Sequence, residues 1–308
     1  MCMIGIDPSK SELTLSTRGG RDKLRNEPRV LRDWACSLPE EAVVAVEATG
    51  RYHRPVLDAL HGAGIRTYLL NPMHVARYRK ALRPSLKTDA SDAKMICRYL
   101  QREQDMLVPH KMPGKDLQEL KDLLSYRETL VDKRVALRQS LSEQTFQLDS
   151  RRALDESFKV MMTEVDAKIL ALAKARPLYQ KMRKIDGVGP LGAAALTWLF
   201  EAHDFVSSDQ AVAFVGLDVS VRQSGKYVGK SKLTKRGPAF VRTFLFNGVN
   251  ALRRLEELRP LFEHHQAKNL STTAVNNIVA RKIIRIAYAL ARHPEATFER
   301  KNLLPQLT

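Results

Sequence analysis

Short apolar runs alternate with amphipathic stretches over residues 1–105, and this order constrains the fold more than any other feature. "MIGI" and "ELTLST" read as strands, "VLRDWACSL" as a helix and "AVVAV" as a buried strand. A helix is expected near Pro55–His61, then the strand "IRTYLL", then helices from about Pro72 and Thr88. Interleaving of this kind requires helices packed on a mixed sheet, an α/β layer fold. "VPHKMPGK" reads as a linker. From Lys115 to about Ala175 the chain is charged and free of Pro and Gly. Leu117, Leu120, Leu124, Val131, Val135 and Leu141 trace one apolar seam, and Phe158, Met162, Val165, Ile169 and Leu172 another. Two long helices folding back as a coiled-coil hairpin fit that pattern. Pro177 opens a third, mainly α-helical region. The expected division is 1–108, 109–176 and 177–308.

Acids punctuate the first region. Asp7 follows "MIGI" and Glu47 follows "AVVAV", each at the end of a strand, where ligands of α/β folds bind. At 100° per residue Asp89, Asp92, Ala93, Ile96 and Leu100 share one stripe, with Lys94, Arg98 and Gln101 opposite. Two carboxylates in an apolar stripe repel each other and resist desolvation unless positive charge neutralises them. Four oxygen donors without His or Cys suit Mg²⁺ or Mn²⁺ and not zinc. A pair of such ions would clamp both oxygens of a phosphodiester exchange. Singly, each acid has a plainer reading: Asp7 as a turn acid, Glu47 as a helix cap, Asp89 as a partner of a helix N-terminus.

The charge balance points to the partner. Lys and Arg number 51 against 34 Asp and Glu, a net charge of +17. Such an excess on a folded chain is the mark of a polyanion binder, nucleic acid above all. Aromatics at 6 % are too scarce for stacking on splayed single strands to dominate. Cys2, Cys36 and Cys97 form neither a disulfide framework nor a zinc motif. The N-terminus lacks the pattern of a signal peptide, and no apolar run reaches the ~20 residues of a membrane span, so a soluble, cytoplasmic, nucleoid-associated protein is expected.

Between Arg66 and Lys87 the chain carries Arg77, Arg79, Lys80, Arg83 and Lys87 without one acid. From Arg222 to Arg242 it carries Lys226, Lys230, Lys232, Lys235 and Arg236, again without an acid, around Ser224–Gly225. A late helix aligns Arg281, Arg285 and Arg292, read as phosphate contacts. "KIDGVGPLGAAAL" reads as a glycine turn feeding a helix and resembles a helix-hairpin-helix element. Gly187 and Gly189 would permit the turn, and the helix-start amides would hold a phosphate. Ser224 needs a base, a metal or strong electrostatic help to attack phosphorus. From chemistry alone, a basic loop gripping phosphate with Ser224 as one donor is the stronger reading.

"GID", "VEATG", Asn71–Pro72 and "KTDASDA" resemble the RuvC-like DEDD domain of a distinct class of insertion-sequence transposases, among them bridge-RNA-guided recombinases and Piv-type pilin-gene invertases. "FVGLDVSVRQSGK" with "TKRGPAFVRTFL" resembles their C-terminal domain. The resemblance implies a ribonuclease-H-like N-terminal fold with metal ligands Asp7, Glu47, Asp89 and Asp92. It also implies Ser224 as a nucleophile that joins covalently to DNA, which reverses the plainer reading of that serine. Donor and target DNA, a structured non-coding guide RNA and a homo-oligomer, dimer to tetramer, are implied as partners. Two rivals remain open: a RuvC-like metal-dependent nuclease or junction resolvase without a covalent intermediate, and a basic scaffold whose acids only cap helices.

Overall fold

A computed structural model describes residues 2–82, 89–107, 109–141, 149–220, 223–224, 227–228, 232–235 and 237–304. The chain divides into two compact units, Met1–Met112 and Pro113–Thr308.

In the first unit the described residues form a five-stranded sheet of order β3-β2-β1-β4-β5. Its strands are β1 (Met3–Pro8), β2 (Glu12–Ser16), β3 (Arg21–Arg25), β4 (Val43–Glu47) and β5 (Arg66–Leu70). β1, β2 and β3 pair antiparallel, whereas β1–β4 and β4–β5 are parallel, which makes the sheet mixed as expected. Helices α1 (Pro28–Cys36) and α2 (Arg54–Gly62) each begin with a proline in the first turn, where its missing N–H costs nothing. Ile4, Ile6, Val44 and Val46 pack with Leu31, Ala35, Val56 and Leu60 of these helices. Val43, Ala45 and Tyr68 pack on the other face with Val75 of α3 (Pro72–Leu82) and Ile96 and Leu100 of α4 (Asp89–Glu103). Helices on both faces explain why "VVAV" is apolar at every position. β3 was not legible in the sequence: "RDKLR" is polar, and four of its five residues are exposed on the sheet edge. Part of the expected linker belongs to this unit, since the His110 amide donates to the Thr67 carbonyl at 2.7 Å.

The second unit is mostly helical. α5 (Lys115–Ser140) and α6 (Asp149–Lys174) run antiparallel, as the pairs Arg127–Asp166 and Arg134–Asp155 require. Leu117, Leu120, Leu124, Val165 and Ile169 share a single core with α7 (Pro177–Arg183), α8 (Pro190–Ala202), α9 (Ser208–Val215), α10 (Ala239–Leu252), α11 (Arg259–Gln266) and α12 (Thr272–Arg292). The hairpin and the C-terminal helices are therefore one compact unit. The apolar seam is shorter than its sequence pattern, because Val135 is 46 % exposed.

Candidate functional site

Strand alternation fixes where the first two acids point. Ile4 and Ile6 lie on the α1–α2 face, so Met3, Gly5 and Asp7 fall on the α4 face. By the same rule Val43, Ala45 and Glu47 fall on the α4 face too. The parallel register pairs Ile6 with Val46, so Asp7 and Glu47 are the next residues on neighbouring strands, a strand spacing of about 4.8 Å apart. Both are half-buried.

α4 lies on β1 in the opposite direction. The Cys97 thiol donates to the Met3 carbonyl at 3.5 Å, and the Ala93 carbonyl sits against Gly5. One helical turn back from Ala93 is about 6 Å, and two residues on from Gly5 is about 6.6 Å. The backbone of Asp89 is thus level with Asp7. The Asp89 side chain lies outside the described residues.

Asp92 meets a cation that was expected elsewhere. Its side chain is 14 % exposed and accepts from the Arg79 guanidinium of α3 at 2.6 Å. The sequence assigned the neutralising charge to divalent ions and Arg79 to phosphate. In the structure Arg79, itself 18 % exposed, supplies that charge to Asp92. Ala93, Ile96 and Leu100 are fully buried and Lys94, Arg98 and Gln101 exposed, as the helical stripe required. Among the described residues no three His, Cys, Asp or Glu side chains are arranged to hold an ion. With Asp89 as the remaining donor, the candidate set is all carboxylate oxygen, which fits Mg²⁺ or Mn²⁺. Arg77 and Lys80 are exposed on α3, while Arg83 and Lys87 lie outside the described residues.

In the second unit Ser224 sits in a short hairpin. β6 (Val219–Ser220) pairs with β9 (Lys232–Leu233), and within that ladder β7 (Gln223–Ser224) pairs with β8 (Tyr227–Val228). Ser224 is opposite Tyr227, so Gly225 and Lys226 connect the inner strands. The Ser224 side chain, together with Arg222, Lys226, Lys230 and Arg236, lies outside the described residues. Lys232 and Lys235 are exposed.

The base of this hairpin is clamped from below. Thr234 hydrogen-bonds Asp218, and the Lys235 amide donates to the Gly216 carbonyl at 3.0 Å. Arg242 donates to the Val215 carbonyl at 2.8 Å, and burial draws its pKa below the usual guanidinium range. Arg281 donates to the Leu217 carbonyl at 2.7 Å, Arg285 pairs with Asp209 at 2.9 Å, and Arg292 donates to the Phe205 carbonyl. All three arginines of the α12 stripe thus contact the segment 205–217 that leads into the hairpin. Sequence reasoning missed this, because nothing in the spacing of three arginines distinguishes a carbonyl from a phosphate as acceptor.

Gly187 takes φ +79°, and a Cβ there would stand 2.6 Å from Leu252 Cγ and 2.9 Å from the Gly248 carbonyl. It serves both a turn and a close approach to α10. Gly189 caps α8, with open space where its Cβ would be. Both glycines line a cleft of about 720 Å³ with Arg127, Asp166 and Asn247.

Known proteins resemble this chain along most of its length. A transposase family model of the IS110 DEDD type matches residues 4–148, and the model described as "Transposase IS116/IS110/IS902 family" matches residues 179–263. The transposase for insertion sequence element IS1111A of Coxiella burnetii is 29 % identical over 228 residues, 63 % of this chain and 61 % of that protein. This chain thus spans about three fifths of that relative's length. A putative transposase of Sinorhizobium fredii is 24 % identical over 95 % of this chain and 84 % of its own. The pilin gene-inverting protein of Moraxella bovis is 23 % identical over 80 % and 79 %. The Thermus thermophilus RuvC structure aligns with 35 % of this chain and 99 % of its own at 18 % identity, with a TM-score of 0.28. The first model runs from the first unit through α5 of the second, the other lies wholly within the second unit, and by them the chain belongs to the IS116/IS110/IS902 family of transposases.

Proposed function

We propose that this chain is a DNA recombinase of an insertion sequence, exchanging strands through a covalent link between Ser224 and the DNA backbone. Asp7, Glu47, Asp89 and Asp92 would hold Mg²⁺ or Mn²⁺. The observation that carries this reading is the arrangement of strand ends and helix: Asp7 and Glu47 follow paired residues on one sheet face, and α4 crosses that face with Asp89 level with Asp7. The bound ions would stabilise charge on the attacking and leaving oxygens.

Ser224 Oγ would attack phosphorus, forming an Oγ–P bond as the P–O bond to the leaving strand breaks. The hydroxyl proton passes to a base, and the freed strand end takes up a proton. Attack on that ester by a DNA hydroxyl then regenerates the serine, so bond energy is conserved. Exposed Arg77, Lys80, Lys232 and Lys235 are suited to phosphate, at about −0.9 in log–log salt slope per contact on duplex DNA. A structured RNA partner would supply sequence choice, since no zinc finger or reading helix is apparent in the sequence. A homo-oligomer, dimer to tetramer, would bring metal site and serine to one strand, with the α5–α6 pair as coiled-coil arm. Among the described residues no helix is long and apolar enough to cross a membrane.

A suicide DNA substrate tests the chemistry. The wild-type chain should give a denaturation-resistant protein–DNA adduct with Mg²⁺, and Ser224→Ala should give none while retaining DNA binding. Hydrolysed ends without an adduct, abolished by Asp92→Asn, would instead make the chain a RuvC-like nuclease.

A further inference from the structure

We propose that Arg79 is a placeholder cation for the metal site, neutralising Asp92 until a divalent ion takes that carboxylate and then moving to a DNA phosphate. The inference rests on the reading of Asp92 as a metal ligand. A guanidinium and a dication facing the same carboxylate repel each other, and the repulsion is strong where both are largely shielded from water. Arg79 and Asp92 meet that condition at 18 % and 14 % exposure and 2.6 Å separation. An ion arriving at Asp92 therefore displaces Arg79 or is excluded by it.

The guanidinium has somewhere to go. Its Nε is buried and has no hydrogen-bond acceptor among the described residues. An Arg presents a fork of N–H donors that matches two phosphate oxygens, and among the described residues Arg79 pairs with Asp92 while its Nε donor is unmet. Its neighbours Arg77 and Lys80 are exposed on the same helix, so a polyanion drawn to α3 arrives where Arg79 can reach it. Ion and DNA then assist each other: the ion releases the arginine, and the phosphate receives it. Without an ion, Arg79 brings positive charge to Asp92 in the core stripe beside Ala93 and Ile96, both fully buried.

Mn²⁺ binding to the full chain, followed by calorimetry with and without duplex DNA, tests this. Arg79→Gln should bind Mn²⁺ about tenfold tighter than wild type without DNA, and the gap should narrow once DNA is present. With Mn²⁺, the salt slope for DNA should lose about 0.9 in Arg79→Gln, and without Mn²⁺ it should be unchanged. Arg79→Lys keeps the charge but loses the fork, and its Mn²⁺ affinity should lie between the two. Weaker or equal Mn²⁺ binding in Arg79→Gln would overturn the proposal and leave Arg79 as a residue that merely orients Asp92. Should the Gln variant fail to fold, Mn²⁺ binding to the Lys variant no tighter than wild type would do the same. Asp7→Asn separates the two levels: if it leaves Mn²⁺ affinity unchanged, the metal reading itself fails, whatever Arg79 does.

Discussion

A Cβ on Gly5 would stand 2.6 Å from the Ala93 carbonyl oxygen and closer still to the Cys97 amide nitrogen. Strand β1 thus receives helix α4 backbone to backbone, and only glycine leaves room. The same contact sets the height of Asp89 and Asp92 over Asp7. Gly5→Ala should push α4 off the sheet and cost about 2–3 kcal/mol, the upper range for overpacking, because backbone cannot yield as a side-chain tip does. Denaturant melts should show the loss. On the proposed metal reading, Mn²⁺ affinity should fall with it, although none of the four acids has been touched.

Arg127 Nε meets Asp166 Oδ1 at 2.5 Å and Arg127 Nη2 meets Oδ2 at 3.2 Å, a bidentate pair with side chains 17 % and 28 % exposed. It fixes the register of α5 on α6 where the two helices join the common core. Lys159–Glu156, at 2.8 Å on the outer surface, is more than half exposed at both ends. Asp166→Ala should destabilise the second unit by about 1–3 kcal/mol and Glu156→Ala by less than about 0.5 kcal/mol. Urea midpoints of the two variants, with a double-mutant cycle on Arg127 and Asp166, would show the contrast.

The sheet was legible because its strands announce themselves by burial. "MIGI", "AVVAV" and "IRTYLL" lie between two helical layers and are apolar for that reason. β3 escaped because an edge strand needs no apolar residues, and "RDKLR" has one. The stripe of Asp92, Ala93, Ile96 and Leu100 followed from helical period alone. What the period cannot give is the partner across the gap. Arg79 was visible as a cation and Asp92 as a buried acid, yet only the packing of α3 on α4 joins them. The reversal of the chain between Ser224 and Tyr227 was legible, because turn chemistry is local. The α12 arginines beneath it were not, because they act at a distance of 64 residues and more in sequence.

His203 is packed among Phe205, Phe214 and Trp198, and its Nδ1 lies 3.1 Å from the Leu199 carbonyl, which makes that nitrogen the protonated one. Burial pushes its pKa below the ordinary histidine value of 6.5. The unfolded chain therefore binds more protons than the folded one in the window below 6.5, and stability falls as pH drops through it. His61, beside His110 at 2.9 Å, and His265 are lowered for the same reason and act in the same direction. Melting temperature should hold from pH 8 to 7 and decline from about pH 6.5 downward. His203→Phe should make that decline shallower without abolishing it. A decline of unchanged steepness in this variant would remove His203 as a cause.

Arg281 is the residue on which two readings of α12 part. As a phosphate contact it would leave the DNA salt slope about 0.9 smaller when neutralised, with weaker binding of every sequence. As a clamp, through its 2.7 Å bond to the Leu217 carbonyl, it supports the segment that runs by way of Asp218 into the serine hairpin. Leu217 is fully buried, so its carbonyl has no ready water to replace a lost donor. Arg281→Met keeps much of the stem and removes the donor. The salt slope should stay as in wild type, the melting temperature should fall by a few degrees, about 1–2 kcal/mol, and formation of the serine adduct should slow about tenfold. Adduct formation at the wild-type rate together with a smaller slope would return Arg281 to the DNA-facing surface, and with it the functional meaning of the whole stripe.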